Sequence, residues 1–152
     1  MSNREKPPQL ASSSSPRKNR EKQFVIDGEA VILGVDGISD FNALHSGKNN
    51  HEVQLYAFDI LAMDGDDLRP LPLSLHKASL ARLLRGRPDS MFIAPFEQGE
   101  IGPDLFRQAC KFGLEGLVSK RLDRRYRGGR SPDWIKVKNP ASPATHRVKE
   151  AF

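Results

Sequence analysis

A chain of 152 residues with 38% hydrophobic content holds material for one core, so one domain is expected and a multidomain assembly is excluded. The net charge of +5 directs attention to a polyanionic partner, nucleic acid or a nucleotide. A single cysteine, Cys110, excludes an internal disulfide and fits a reducing cytosol; no apolar run nears membrane-spanning length and no charged-then-apolar leader opens the chain, so a cytoplasmic protein without a membrane partner is expected. The charge is segregated: ten Lys or Arg between residues 120 and 149 stand against Asp123 and Asp133, a local balance of +8 that leaves −3 elsewhere.

Residues 1–22 join a proline pair and a serine run to scattered charge, and are expected to be a disordered tail because they carry too little apolar surface to offset ordering entropy. From Gln23 the pattern alternates as a strand does, with Phe24, Ile26, Ala30 and Ile32 on one face. Val25, Asp27, Glu29, Val31 and Leu33 take the other, setting two carboxylates among apolar side chains, where burial demands a cationic or hydrogen-bonding partner. Asp36-Gly37 makes a better turn than Asp27-Gly28 because it follows the apolar run rather than interrupting it. The segment SDFNALHSG reads as a short helix capped by Ser39 or Asp40 and ended by Gly47.

A second apolar strand runs from Val53 to Met63 and turns at Asp64-Gly65; Phe58 shares a face with Tyr56 and Ile60, which suits either core packing or stacking on a base. SLHKASLARLLRG predicts an amphipathic helix with Leu75, Leu80, Leu83 and Leu84 buried, and MFIAPFE a short strand. GPDLFRQACKFG predicts a helix with Pro103 in its first turn, Asp104 near its positive end and Gly113 as its stop. Cys110 shares a face of it with Phe106 and Ala109, a core position.

EGLVSKR and DWIKVKN then read as two strands joined by a loop rich in arginine and glycine. A period of two puts Trp134, Lys136 and Lys138 on one face and Ile135 and Val137 on an apolar back. Two ammonium groups on one rigid strand can grip one phosphate; the alternative is a solvated lysine face. From Pro140 a proline-containing tail, residues 141–152, closes the chain.

IDGEAV (26–31), YAFDIL (56–61), EGLVSKR (115–121) and WIKVKNP (134–140), in this order, resemble four motifs of the adenylation domain of ATP-dependent DNA ligases; spacing and the linking GISDFNAL are most similar to bacterial enzymes of the ligase D type. The resemblance implies an α+β fold with antiparallel sheets and flanking helices, a truncated nucleotidyltransferase (ATP-grasp-like) domain over residues 23–140. It implies ATP and Mg²⁺ as cofactors and DNA as partner. Glu29, supported by Asp27, matches the carboxylate on the ATP ribose, and Phe58 the aromatic on adenine. Glu115 matches the acid that helps hold the metal, Lys120 the basic residue of the same motif, and Lys136 and Lys138 the pair on the α-phosphate. Arg124, Arg125, Arg127 and Arg130 would lie near the DNA backbone, or form a solvated turn.

One departure stands against these matches. The family's nucleophilic lysine lies in K-x-D-G upstream of DGE, and neither Lys6, Lys18 nor Lys22 is followed by x-Asp-Gly. The family's following OB-fold domain is likewise expected to be missing after WIKVKNP. The expectation is a truncated ligase, inactive alone, whose family reaction seals DNA nicks through an enzyme–AMP intermediate; the alternatives are a non-catalytic nucleotide- or DNA-binding module, the complementing half of a split ligase that pairs with a polypeptide supplying the missing part, or a remnant.

Overall fold

A computed structural model describes residues 23–86 and 89–142; the N-terminal segment read as disordered and the tail beyond residue 142 lie outside the described residues. Strand β1 (Phe24–Val31) runs antiparallel to β2 (Gln54–Met63), from Phe24 opposite Met63 to Val31 opposite Gln54. The register slips twice. Val25 faces Ala62 but Ile26 faces Ile60, and Asp27 faces Asp59 but Gly28 faces Ala57, so Leu61 and Phe58 have no partner on β1. Two bulges on β2 result, and each resets the alternation of its side chains.

Those resets explain the core. Ala57, Ile60 and Met63 stand three residues apart, a spacing an unbroken strand would send to opposite faces, yet all three belong to one cluster with Phe24 and Ile26. The expectation that Phe58 shares a face with Ile60 is corrected here: Ile60 is fully buried in the core, whereas Phe58 is half-buried at the bulge. The turn after β2 places Asp64 and Gly65 at φ 49° and 92°, both left-handed, as a two-residue hairpin requires, and leads into β3 (Asp66–Asp67).

Helix α1 (Phe41–Ser46) starts where Asp40 accepts a hydrogen bond from the Ala43 amide and stops at Gly47. Helix α2 (Leu73–Leu84) buries Leu73, His76, Leu80, Leu83 and Leu84. Leu75 is 48% exposed, a second correction: it lies about 100° around the helix from His76, which takes the inward place. From α2 the chain enters β4 (Met91–Ile93), which pairs with β2 in parallel, so the four-stranded sheet is mixed rather than wholly antiparallel. Its β2–α2–β4 crossover lays Leu80, Leu83 and Leu84 on Ala57 and Ile60.

Helix α3 (Gly102–Lys111) carries the expected proline in its first turn, ends as Gly113 turns at φ 72°, and packs on β5 (Gly116–Lys120). Cys110 and Phe106 are half-buried beside the buried Ala109. Strand β5 and β6 (Trp134–Lys138) form a separate antiparallel pair. A backbone seam ties this hairpin to the first layer: Leu73 and Ser74 amides donate to the Arg124 and Leu122 carbonyls, and the Tyr126 amide to the Arg69 carbonyl. Among the described residues no helix is long and apolar enough to cross a membrane.

Candidate functional site

The hairpin register places Lys120 opposite Trp134, Val118 opposite Lys136 and Gly116 opposite Lys138. Cross-strand partners share a face, so Lys120, Lys136 and Lys138 project together, adding a third lysine to the pair visible in β6 alone. Gly116 is required there: a Cβ at that position would sit 2.2 Å from the Val137 carbonyl oxygen. The apolar back is open rather than packed, with Ile135 60% and Val137 41% exposed.

Three side chains converge on the Lys120 ammonium, two from β2 and one from β6. It lies 4.3 Å from the Trp134 ring centroid and 5.3 Å from that of Phe58, both within cation–π range. It is also 4.0 Å from Asp59 Oδ2. Asp59 is buried; its Oδ1 accepts from the Ile60 amide and lies 2.8 Å from His76 Nδ1, while Oδ2 has no hydrogen-bond partner among the described residues. The other imidazole nitrogen, His76 Nε2, stands 2.5 Å from the Leu68 carbonyl and donates to it, since a carbonyl only accepts. Next along α2, Lys77 donates to the Phe58 carbonyl at 2.8 Å and covers the Phe96 ring. Burial, with the charge of Lys120 second, pushes the Lys77 pKa down against a smaller opposing pull from Asp59.

The carboxylate strand borders this cluster. Asp27 faces Asp59 across the sheet and is half-buried; burial first, then the charges of Asp27 and Asp59, push the Tyr126 phenol up. Tyr126 also meets Trp134 edge-on at 5.2 Å. Glu29 is exposed opposite Tyr56, which stacks on Phe92. Glu29 therefore escapes the burial expected of it and Asp27 is only half enclosed, while Val25 beside them is 53% exposed. The carboxylate that is buried among apolar side chains is Asp59.

Glu115 is exposed at the Lys138 end of the hairpin, where its carbonyl accepts from the Asn139 amide. No group of three His, Cys, Asp or Glu able to hold a metal exists among the described residues. One open carboxylate makes no closed cage, but it suits Mg²⁺ carried in on nucleotide phosphates, which needs one or two protein carboxylates.

The arginines differ among themselves. Arg124 stands 3.6 Å from Asp133 and 3.8 Å from Asp123, and Arg121 3.2 Å from Asp123, whose carboxyl it holds below the usual range by hydrogen bonding. The side chains of Arg125, Arg127 and Arg130 form no ion pair among the described residues. Arg125 and Arg127 line two adjoining concavities at the seam, near 470 and 450 Å³, with Pro70 between them. The lysine face, by contrast, is an open platform.

Sequence reasoning overlooked Asp59 and His76. The available signal was an aspartate in the middle of the otherwise apolar run from Leu55 to Met63, a place that demands a partner.

A family model described as ATP dependent DNA ligase domain matches residues 2–138. The multifunctional non-homologous end joining protein LigD of Pseudomonas aeruginosa is 41% identical over 116 residues, covering 74% of this chain and 14% of that protein. Its counterpart in Mycolicibacterium smegmatis is 34% identical over 119 residues, covering 78% and 15%. The chain thus spans only about a seventh of these relatives. The solved structure of mycobacterial DNA ligase D complexed with ATP and MES superposes with a TM-score of 0.65 at 32% identity, covering 76% of this chain and 38% of that one. With the four motifs carried on the elements described above, the chain belongs to the ATP dependent DNA ligase domain family.

Proposed function

We propose that this chain forms the nucleotide- and DNA-facing part of an adenylation domain in a ligase that seals DNA nicks through lysyl-AMP and adenylylated DNA, in repair and recombination. The observation that carries the reading is the hairpin face: Lys120, Lys136 and Lys138 side by side, with Lys120 between Phe58 and Trp134. In this reading Phe58 stacks on adenine, and Glu29, backed by Asp27, accepts from the ribose hydroxyls. Lys136 and Lys138 hold the α-phosphate, offsetting negative charge that grows as it is transferred, and Lys120 supports the nucleotide beside them. Glu115 contributes a carboxylate to Mg²⁺, which neutralises phosphate charge when bound. Arg124, Arg125, Arg127 and Arg130 face the DNA backbone, with Arg125, Arg127 and Arg130 carrying most of the contact because their charge is not already answered.

No lysine in these 152 residues stands in K-x-D-G. The attacking lysine nitrogen, which bonds to the α-phosphorus as the bond to pyrophosphate breaks, is therefore supplied from outside them. A lysine not held in line forgoes positioning worth about 7–11 kcal/mol.

Labelling with ATP carrying its label on the α-phosphate tests this. Alone, the chain binds ATP and stays unlabelled after acid denaturation; mixed with a polypeptide carrying K-x-D-G, it promotes labelling of that partner's lysine. Lys136→Ala or Lys138→Ala abolishes the gain. Acid-stable label on Lys6, Lys18 or Lys22 would overturn the reading, as would a folded chain that does not bind ATP. ATP binding that never supports labelling would leave a non-catalytic binding module.

A further inference from the structure

Helix α2 lays two consecutive side chains on two consecutive residues of the β2 bulge: His76 on Asp59 and Lys77 on Phe58. Phe58 has no partner on β1, so the ladder between those strands does not set its position. What holds its backbone from α2 is the Lys77 ammonium on its carbonyl, a charge-assisted bond from a half-buried lysine. Asp59 is fixed twice at Oδ1, by the Ile60 amide and by an imidazole whose far nitrogen is tied to the Leu68 carbonyl. Only Oδ2 is left, buried and without a hydrogen bond among the described residues, and the cation that faces it is Lys120.

At 4.0 Å that pairing is held by charge rather than by a hydrogen bond. The attraction keeps the ammonium beside Trp134 and Phe58 while its N–H donors stay free for an oxyanion. We propose that His76 and Lys77 are positioning residues: Lys77 sets Phe58 for the base, and His76, through Asp59, sets Lys120 for the phosphates. The use of that site for a nucleotide rests on the function proposed above; the positioning itself does not.

The 152-residue chain has one tryptophan, Trp134, which reports on Lys120 without any ligand. Three variants are compared with wild type: Lys77→Met, which keeps the apolar stem, His76→Asn, and Asp59→Asn, which keeps the size of the side chain but not its charge. Leu75→Ala, exposed on the same helix, is the control. Calorimetric titration with ATP and with inorganic tripolyphosphate separates base from phosphate contacts. Lys77→Met should weaken ATP about tenfold and leave tripolyphosphate within about twofold, since the charge-assisted hydrogen bond it removes is the one to the Phe58 carbonyl. His76→Asn and Asp59→Asn should weaken both ligands and shift Trp134 emission in the free chain, with far-UV circular dichroism unchanged. If His76→Asn does not fold, Asp59→Asn carries that arm. Unchanged emission in Asp59→Asn, or equal loss of ATP and tripolyphosphate in Lys77→Met, overturns the inference. A folded wild type that binds neither ligand sinks the nucleotide reading instead, and the emission shift in Asp59→Asn still decides the anchoring of Lys120.

Discussion

The mixed sheet with α2 and the β5–β6 hairpin achieve order in opposite ways. In the first, position follows from burial: Ile60 and Leu80 are fully enclosed, and a polar pair, Asp59 and His76, is tolerated there because its hydrogen bonds are largely answered. In the second, Ile135, Val137 and Val118 remain open to water, and the strands are set by backbone register, by Gly116 and by the seam to residues 69–74. A buried layer can fix one side chain to within a fraction of an ångström; an open hairpin can present three lysines at once. The candidate site lies where they meet, with Lys120 held from the first and displayed on the second.

The largest expected effect separates the two by stability. Leu80→Ala removes a fully buried side chain and should destabilise the chain by about 2–5 kcal/mol, whereas Ile135→Ala, at an exposed position, should change stability by no more than about 0.5 kcal/mol. Urea unfolding followed by far-UV circular dichroism measures both. Comparable losses would show that the hairpin's apolar face is covered in solution.

A test inside the hairpin comes next. Gly116→Ala forces a Cβ against the Val137 carbonyl and should cost about 1–3 kcal/mol, while Gly128→Ala meets open space. Amide exchange should quicken across β5 and β6 in the first variant and not in the second, with β1 and β2 unaffected. Faster exchange spreading equally into β1 would mean that the two regions unfold as one unit.

Charge on the loop gives a smaller and more local effect. Arg125→Ala with Arg127→Ala should lower the slope of log DNA affinity against log salt by about two, while Arg124→Ala, already answered by Asp123 and Asp133, should lower it by well under about one unit. Equal slopes for the double variant and wild type would place the DNA contact elsewhere.

The smallest effect lies at the seam. A side-chain hydrogen bond from Arg69 lowers Asp67 from 3.8 to about 2. A carboxyl depressed on folding contributes stability that is present above its unfolded pKa and lost as pH falls through the folded one, so the contribution should fade from about pH 4 to about pH 2. Arg69→Gln should remove that part of the pH dependence in urea titrations. An identical acid slope in the variant would show that Asp67 does not depend on Arg69.

Much of this protein is written locally. The Asp-Gly turns, the Asp40 cap, the order of strands and helices, and the pairing of Lys136 with Lys138 follow from periods and turn chemistry within a few residues, and so does the motif order that resembles a ligase. The tertiary structure alone decided which face each residue took beyond a bulge. Strict alternation assigns Phe58 and Ile60 to one side, and only pairing with β1, some thirty residues away in sequence, reveals the slip at Phe58 that parts them. Burial was also a long-range outcome. Asp27 and Glu29 looked enclosed among apolar neighbours, but Asp59 became the enclosed acid because α2 brings His76 to it from 17 residues on. Likewise Lys120 joins the lysine pair through cross-strand register, and Arg124 parts from Arg125 and Arg127 through Asp133 across the loop. Period and turn act through neighbouring bonds and survive in any fold; partner, face and charge compensation exist only once distant segments touch.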